Sequence, residues 1–528
     1  MVESGMSPDT ALPDDVESLR RLLLAEREAA ASAVAELTEQ LQQARTGLVA
    51  KTLELEKLKV QLAKLRRMAF GRSSEKLDRE IAQLELQLGD LEEDIAQSGP
   101  PATSSDPVDA AEKAKPVRRP LPDHLSRREV VHDAPCACPS CGGVLRPLGE
   151  DVTEILEYEA SRFHVVRHVR PKLSCRTCEA VAQAPVPDLP IDRGRAGPGL
   201  LAHVLVSKYA DHLPLYRQAE IYGREGVELE RSTLADWVGR SASLLEPLVS
   251  LLRAEVLAAP RLHADDTPVP VLAPGAGRTK TGRLWVYVRD DRPHGGEAAP
   301  AAAFFYSPDR KGERPQAHLA HFAGHLHADA YAGFNALYEP DRLPGPVIPV
   351  GCWAHARRKF HDLHAAKQSP LAKEALDWIG ALYDVEAEIR GQPPDEGRRI
   401  RSVRSRPMAE ELAAWMQERL TKLSGRSERY ALSRWDSLVR YLDDGHLEID
   451  NNAAERALRA VALGRKNYLF AGSDKGGERA AAIYSLIGTD RLNDIDPQAW
   501  LADVIGRINT HPAKRLAELL PWNWAQGR

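Results

Sequence analysis

Leu262-His-Ala-Asp265-Asp266-Thr-Pro-Val-Pro-Val-Leu272 reads as a β-strand that carries two acids within an apolar run. Pairing such a strand in a sheet buries these positions. Buried like charges repel and lose hydration, so the acids are costly unless they meet a cation. Downstream, Gly282-Arg-Leu-Trp-Val-Tyr-Val288 and Ala302-Ala-Phe-Phe-Tyr306 supply a second and a third strand, which suggests a meander. A helical piece then leads to His325-Leu-His-Ala-Asp329-Ala-Tyr-Ala-Gly-Phe334, a strand ending in another acid, and Pro346-Val-Ile-Pro-Val350 gives a fifth.

Three strands, helix, strand, helix, strand is the order of an RNase H-like α/β core, expected here over residues 260–485. The third acid should come from a helix. Asp450-Asn-Asn-Ala-Ala-Glu455-Arg-Ala-Leu458 fits, because Asp450 or an Asn can cap the helix and Glu455 follows one turn later. The expected catalytic acids and metal ligands are therefore one of Asp265 and Asp266, together with Asp329 and Glu455. Oxygen donors with open positions suit hard divalent ions such as Mg2+ or Mn2+. Two ions about 3.5–4 Å apart would activate an attacking water or 3′-hydroxyl and stabilise the leaving oxygen of a phosphodiester. Asp329 and Glu455 stand 126 positions apart, and 364–444 reads mostly as helix with a Pro393-Pro394 break, so a helical insertion is expected there. Arg357, Arg358, Lys359, Arg456, Arg459, Arg465 and Lys466 crowd the same stretches and are the expected phosphate contacts. Trp353 and His355 either orient DNA or pack, and Cys352 reads as a small buried apolar residue.

Cys138-Pro-Ser-Cys141-Gly-Gly and Cys175-Arg-Thr-Cys178 are separated by 33 residues, and the four thiolates can converge on one tetrahedral structural Zn2+. The strand-like runs Ile155–Tyr158 and Phe163–Val169, with Arg162, Arg167, Arg170 and Lys172 around them, predict a small β-rich basic module over 126–190. A redox dithiol is the weaker reading, since two matched pairs favour a structural ion. Cys136 reads as a spare thiol.

From Val16 to about Ile95 there is no Pro and helix formers dominate. Leu41, Leu48, Leu55 and Leu62 recur every seven residues, with Leu58 and Leu65 at the complementary spacing. This predicts a coiled-coil arm over 16–97, broken near Ala69–Glu75, with Ser73 or Ser74 capping the second helix. Its seam either folds back as a hairpin or joins copies of the chain, and the spacing favours a homo-oligomer. Pro- and Ser-rich 98–125 is a linker. Leu213–Tyr222 and Ser232–Val238, the latter capped by Ser232, give a helix-turn-helix-like pair within 197–255, for which DNA reading and plain packing stand about level. Trp500–Ile508 predicts an amphipathic helix in a tail over 490–528.

The 528 residues suit three or four domains at roughly 150 residues each. With 43% apolar and 28% charged residues the chain is globular, and a net charge of −5 means that any basic surface is local. No run approaches the roughly 20 apolar residues of a membrane span, and Met1–Asp15 lacks a signal pattern, so a cytoplasmic, nucleoid-associated protein is expected.

Several stretches together resemble bacterial insertion-sequence transposases of the insertion-sequence-sixty-six family, nearly end to end. They are Phe70-Gly-Arg-Ser-Ser-Glu-Lys76, the two Cys pairs, His263-Ala-Asp-Asp-Thr-Pro-Val269, Gly351-Cys-Trp-Ala-His-Ala-Arg-Arg-Lys-Phe360, Asp450-Asn-Asn-Ala-Ala-Glu-Arg456, Gly464-Arg-Lys-Asn-Tyr-Leu-Phe470 and Glu518-Leu-Leu-Pro-Trp-Asn-Trp524. The resemblance implies an Asp-Asp-Glu strand transferase that cuts double-stranded DNA at transposon ends and joins the 3′-hydroxyls to target DNA. It also implies accessory products of the same element. Asp265, Asp329 and Glu455 fall on that motif, and Asp266 departs from the Glu expected beside the first acid. Two other readings use part of these features: a non-catalytic DNA-binding regulator, which leaves the three acids unexplained, and an RNase H-like nuclease, which would cut without joining.

Overall fold

The computed structural model describes residues 120–526, apart from 134, 160–161, 193, 274–278, 421–429 and 468–470, together with scattered helical positions between 17 and 61. The chain divides into two units, Met1–Ser74 and Glu75–Arg528. In the first, every described position is helical, and Leu55 and Leu58, both on the expected heptad, are buried between exposed neighbours. The second coiled-coil stretch, the caps at Ser73 or Ser74 and most of the linker lie outside the described residues.

The second unit opens with a sheet of β1 (Ser126–Val131), β2 (Leu145–Glu159), β3 (Arg162–Cys175) and β4 (Val181–Gln183). Its order is β1-β3-β2, with β4 on β3. The two strand runs expected here extend into a long antiparallel ribbon with Leu145 opposite Cys175, which brings the first and second Cys pairs to one end. The charges expected to make this module basic are partly spent. Arg170 and Lys172 both meet Asp151, and Arg167 meets Glu129.

Three helices follow, α1 (Pro198–Tyr209), α2 (Leu215–Arg224) and α3 (Arg231–Leu257). The second helix of the expected pair begins at Arg231, with Glu230 at the cap position and no side-chain cap. Ser232 is thus inside the first turn, its hydroxyl turned to Glu230 Oε2 at 3.3 Å. α3 runs 27 residues, far past Val238, because Leu234, Val238, Leu245, Leu248, Leu252 and Val256 form a continuous buried stripe. The helices and the cysteine sheet share one core. Tyr158 stacks on His203 at 3.8 Å, Phe163 meets Tyr222 edge-on, and Glu157 Oε1 accepts the Leu200 N–H at 2.7 Å.

The five expected strands are all present: β5 (Arg261–Val271), β6 (Lys280–Arg289), β7 (Ala301–Ser307), β8 (Gly324–His327) and β9 (Val347–Val350), with α4 (Glu313–His318) between the third and fourth. Their order is β7-β6-β5-β8-β9, antiparallel through β5, β6 and β7 and parallel from β5 to β8 and β9. A helical layer interrupts the core: α5 (Trp353–Lys367), α6 (Pro370–Ile389), α7 (Pro394–Ile400), α8 (Arg406–Leu420) and α9 (Trp435–Val439). It has its own core around Trp353, Phe360, Ile379, Leu412 and Tyr441, so the insertion reaches outward to Val350 and Ile449, wider than 364–444.

α10 (Asn452–Asn467) and α11 (Asp474–Leu492) return the chain to the sheet, and α12 (Pro497–Arg507) and α13 (Pro521–Gln526) close it. α11 covers the edge strand β7. Ser485 and Thr489 hydroxyls take the N–H groups of Phe304 and Ala302 at 2.8 and 3.1 Å, which satisfies an edge that would otherwise be open to pairing. Gly477 is required there, because a Cβ would sit 2.4 Å from the Tyr306 ring. No described helix is long and apolar enough to cross a membrane.

Candidate active site and zinc module

β5 is the middle strand of the five, so its side chains are flanked on both sides. Asp265 lies opposite Val286 and Asp266 opposite Trp285, and successive strand residues point to opposite faces. This separates the two acids. Asp266, whose side chain is 3% exposed, is held by Arg283 at 2.9 Å and Arg310 at 2.7 Å. Neither arginine stood out in the sequence. Asp265 has no such cation among the described residues: burial, then the fields of Asp329, Asp266 and Glu455, push its carboxyl up to about 7 against the lowering effect of the Asp266 N–H.

Asp329 lies two residues beyond β8, in the turn after the parallel neighbour of β5. Its Oδ1 accepts the Tyr331 N–H at 3.0 Å, and its Oδ2 is 3.7 Å from Arg310. Arg310, lying over the Tyr331 ring at 4.1 Å, thus ties Asp266 to the loop that carries Asp329.

Glu455 arrives on the first turn of α10, and that helix end is fixed by Asn451. Its Nδ2 donates to Ala264 O at 2.8 Å, its Oδ1 faces His263 Nδ1 at 3.2 Å, and its N–H meets Cys352 Sγ at 3.2 Å. Asp450 Oδ1 accepts the Asn452 N–H at 3.0 Å, the cap expected from the sequence, and Oδ2 takes the Tyr383 hydroxyl at 3.1 Å. The buried rings of His263 and His327 stack 4.2 Å apart, and burial lowers both, His263 to about 4, which favours the neutral rings. Asn451 and the histidines were legible only as a polar residue near a cap and as two polar breaks in strands.

The carboxylates of Asp265, Asp329 and Glu455 feel one another but do not form a cluster within 4.8 Å. Glu455 Oε1 stands 3.6 Å from His355 Nδ1. Trp353 is fully buried and donates Nε1–H to Leu438 O at 2.8 Å, so it packs. Cys352 is buried as expected, and burial pushes its thiol up to about 12.

Of the expected phosphate contacts, Arg357, Arg358, Lys359, Arg456 and Arg459 are exposed, the first three on α5 and the others on α10. Arg456 comes within 4.0 Å of Asp290. The side chains of Arg465 and Lys466 lie outside the described residues. Beside Asp329, Tyr331, Tyr338, Tyr430, Arg434 and Trp435 line an open cleft of about 420 Å³ between the sheet and the insertion.

At the end of the β2–β3 ribbon, Cys138, Cys141, Cys175 and Cys178 bring their sulfurs within 4.8 Å of one another, with individual separations of 3.3 to 3.5 Å. The backbone N–H groups of Cys178 and Thr177 hold the Cys175 thiol down to about 6, and the Ser140 N–H leads the same effect at Cys138. Neighbouring thiols raise Cys141 and Cys178 instead, and four thiols at this spacing fit a closed tetrahedral zinc site. Gly143 fits under the cluster, where a Cβ would lie 2.8 Å from Thr177 Oγ1. Cys136 is exposed and outside the group.

The profile described as "Transposase IS66 family" matches residues 193–479. Three others flank it: "zinc-finger binding domain of transposase IS66" over 135–179, "Transposase C of IS166 homeodomain" over 57–130, and "IS66 C-terminal element" over 485–522. Among relatives, the uncharacterized protein y4hP of Sinorhizobium fredii (strain NBRC 101917 / NGR234) is 44% identical over 491 residues, 88% of each chain. The uncharacterized protein y4qI of the same strain is 36% identical over 536 residues, 98% of each. The zinc-finger match coincides with the four clustered thiols and the main match spans both the five-stranded sheet and its helical insertion: the chain belongs to the IS66 family of insertion-sequence transposases.

Proposed function

We propose that the chain is a metal-dependent Asp-Asp-Glu transposase whose core is RNase H-like, cutting DNA at transposon ends and transferring the 3′-hydroxyl to target DNA. The observation that carries this reading is the placement of Asp265 on the central strand, Asp329 after its parallel neighbour and Glu455 on a returning helix, with Asp265 raised by burial and then by the other acids. A buried carboxyl raised in this way beside two other acids supports a cation site. Asp265, Asp329 and Glu455 would hold Mg2+ or Mn2+, and two such ions supply activation of the attacking oxygen and stabilisation of the leaving one.

The protein's own part is placement. Asn451 and the Asp450 cap fix the helix end that delivers Glu455, while Arg283 and Arg310 neutralise Asp266 and leave Asp265 as the ligand of the pair. Arg357, Arg358, Lys359, Arg456 and Arg459 hold the phosphate backbone. The four-cysteine zinc is structural, since a closed site leaves no open position. The N-terminal arm joins copies of the chain, and accessory proteins of the same element are further partners.

The test compares Asp329→Asn with wild type on DNA bearing the ends that flank this gene. Cleavage is expected to fall by about 10³-fold, the equivalent of several kcal/mol of lost charge stabilisation, with DNA binding nearly intact. Binding lost together with cleavage would contradict the role assigned to Asp329.

A further inference from the structure

The first turns of α5 and α10 meet at Glu455, and a carboxylate is not the only metal donor between them. Cys352 occupies the cap position of α5, and His355 is three residues on, one turn along the same helix face. One ligand atom from each of Cys352, His355 and Glu455 lies within 4.8 Å of the other two, and His355 Nδ1 and Glu455 Oε1 are 3.6 Å apart. Ligands held 2.0–2.3 Å from a tetrahedral zinc ion stand about 3.3–3.8 Å from one another, so a small inward adjustment closes the set.

A second observation points to the same place. His355 Nδ1 and Glu455 Oε1 are both shut off from solvent, and neither has a hydrogen-bond partner. Polar atoms left so are costly, and a cation between them would supply the missing interaction. The donors are sulfur, nitrogen and oxygen. Thiolate and imidazole suit a borderline-soft ion of the zinc class, whereas Mg2+ takes oxygen ligands.

We propose that Cys352, His355 and Glu455 form a second zinc-class site, separate from the four-cysteine module, and that its occupancy draws Glu455 away from Asp265 and Asp329 and switches strand transfer off. Binding exchanges the Cys352 thiol proton, released to solvent, for the ion. Three protein ligands leave one coordination position for water. The switching consequence rests on Glu455 acting as the third acid; the site itself does not.

The experiment uses the full chain, stripped of metal and re-equilibrated with Zn2+, with bound zinc counted by mass spectrometry. Wild type is expected to hold two ions per chain, Cys352→Ser and His355→Gln one each, and Cys175→Ser one. Cys352→Ser is nearly isosteric and His355 is partly exposed, so at least one variant should keep the fold, as circular dichroism would show. One ion in wild type, unchanged in both variants, overturns the site. In parallel, Mn2+-driven strand transfer is titrated with Zn2+: the half-inhibiting concentration is expected to rise at least about tenfold in Cys352→Ser, measured against that variant's own zinc-free rate. Equal zinc sensitivity overturns the switch. Two ions bound with no strand transfer under any metal would leave the site standing and remove the transposase reading of Glu455; one ion with active transfer would do the reverse.

Discussion

Asp265 and Asp266 are neighbours in sequence with opposite fates. Strand alternation sends one toward Asp329 and Glu455 and the other between two guanidinium groups, where Asp266 is almost wholly buried. Removing one partner of such a buried pair leaves charge poorly compensated. Arg283→Ala is therefore expected to destabilise the fold by about 1–3 kcal/mol, less than for an isolated pair because Arg310 remains. Urea unfolding measures it, and an unchanged midpoint would remove Asp266 from the buried network. At the zinc module, Cys175→Ser takes away the thiol most favoured as thiolate. It is expected to release one zinc per chain and unfold the ribbon end. Zinc content equal to that of wild type would sink the four-cysteine assignment.

At the scale of elements, the segment joining the insertion to α10 carries an acid in an unfavourable place. Glu448 is pushed up to about 7 by burial, then by Asp450 and Asp290, against the weaker pull of Arg390 and Arg456. Its folded value exceeds the ordinary one near 4.5, so the folded state binds more protons than the unfolded state between the two. Stability should accordingly fall as pH rises from about 4.5 to 7, by up to about 3 kcal/mol. Glu448→Gln is expected to flatten that slope, with the gap to wild type widest above pH 7. Thermal unfolding across pH 4–8 checks this, and parallel curves would contradict it.

The strands were readable because each carries a short apolar run between turn residues, and the Cys pairs because their spacing has few other uses. α3 runs on past Val238 because its buried stripe keeps helical spacing through Pro247, a residue that ordinarily marks a helix end. The clamp from Asn451 to Ala264 spans 187 positions, and Arg310 reaches back 44 to Asp266. Such pairings follow from tertiary proximity, which no local pattern encodes.

Among its described residues the second unit has two cores. One runs from the zinc ribbon through the helices and the five-stranded sheet to the C-terminal helices, and the other lies inside the insertion. Trp353 stands in the second with its indole wholly buried. Trp353→Ala should cost about 3–5 kcal/mol, seen as a loosened insertion in hydrogen exchange, while the four-cysteine module keeps its zinc. In the proposed function the heptads of the first unit join copies of the chain. Deletion of residues 1–97 is expected to reduce the particle to a monomer in light scattering, and an unchanged mass would place the oligomer interface elsewhere.

The central claim is that Asp265, Asp329 and Glu455 act together on DNA ends. Its most direct test is a strand-transfer assay with Mg2+ or Mn2+ on DNA bearing the flanking ends, wild type against Glu455→Gln. The account predicts joined products from wild type alone, with both proteins binding the ends. Joining by Glu455→Gln at the wild-type rate would contradict it, and cleavage by wild type without any joining would make the protein a nuclease instead.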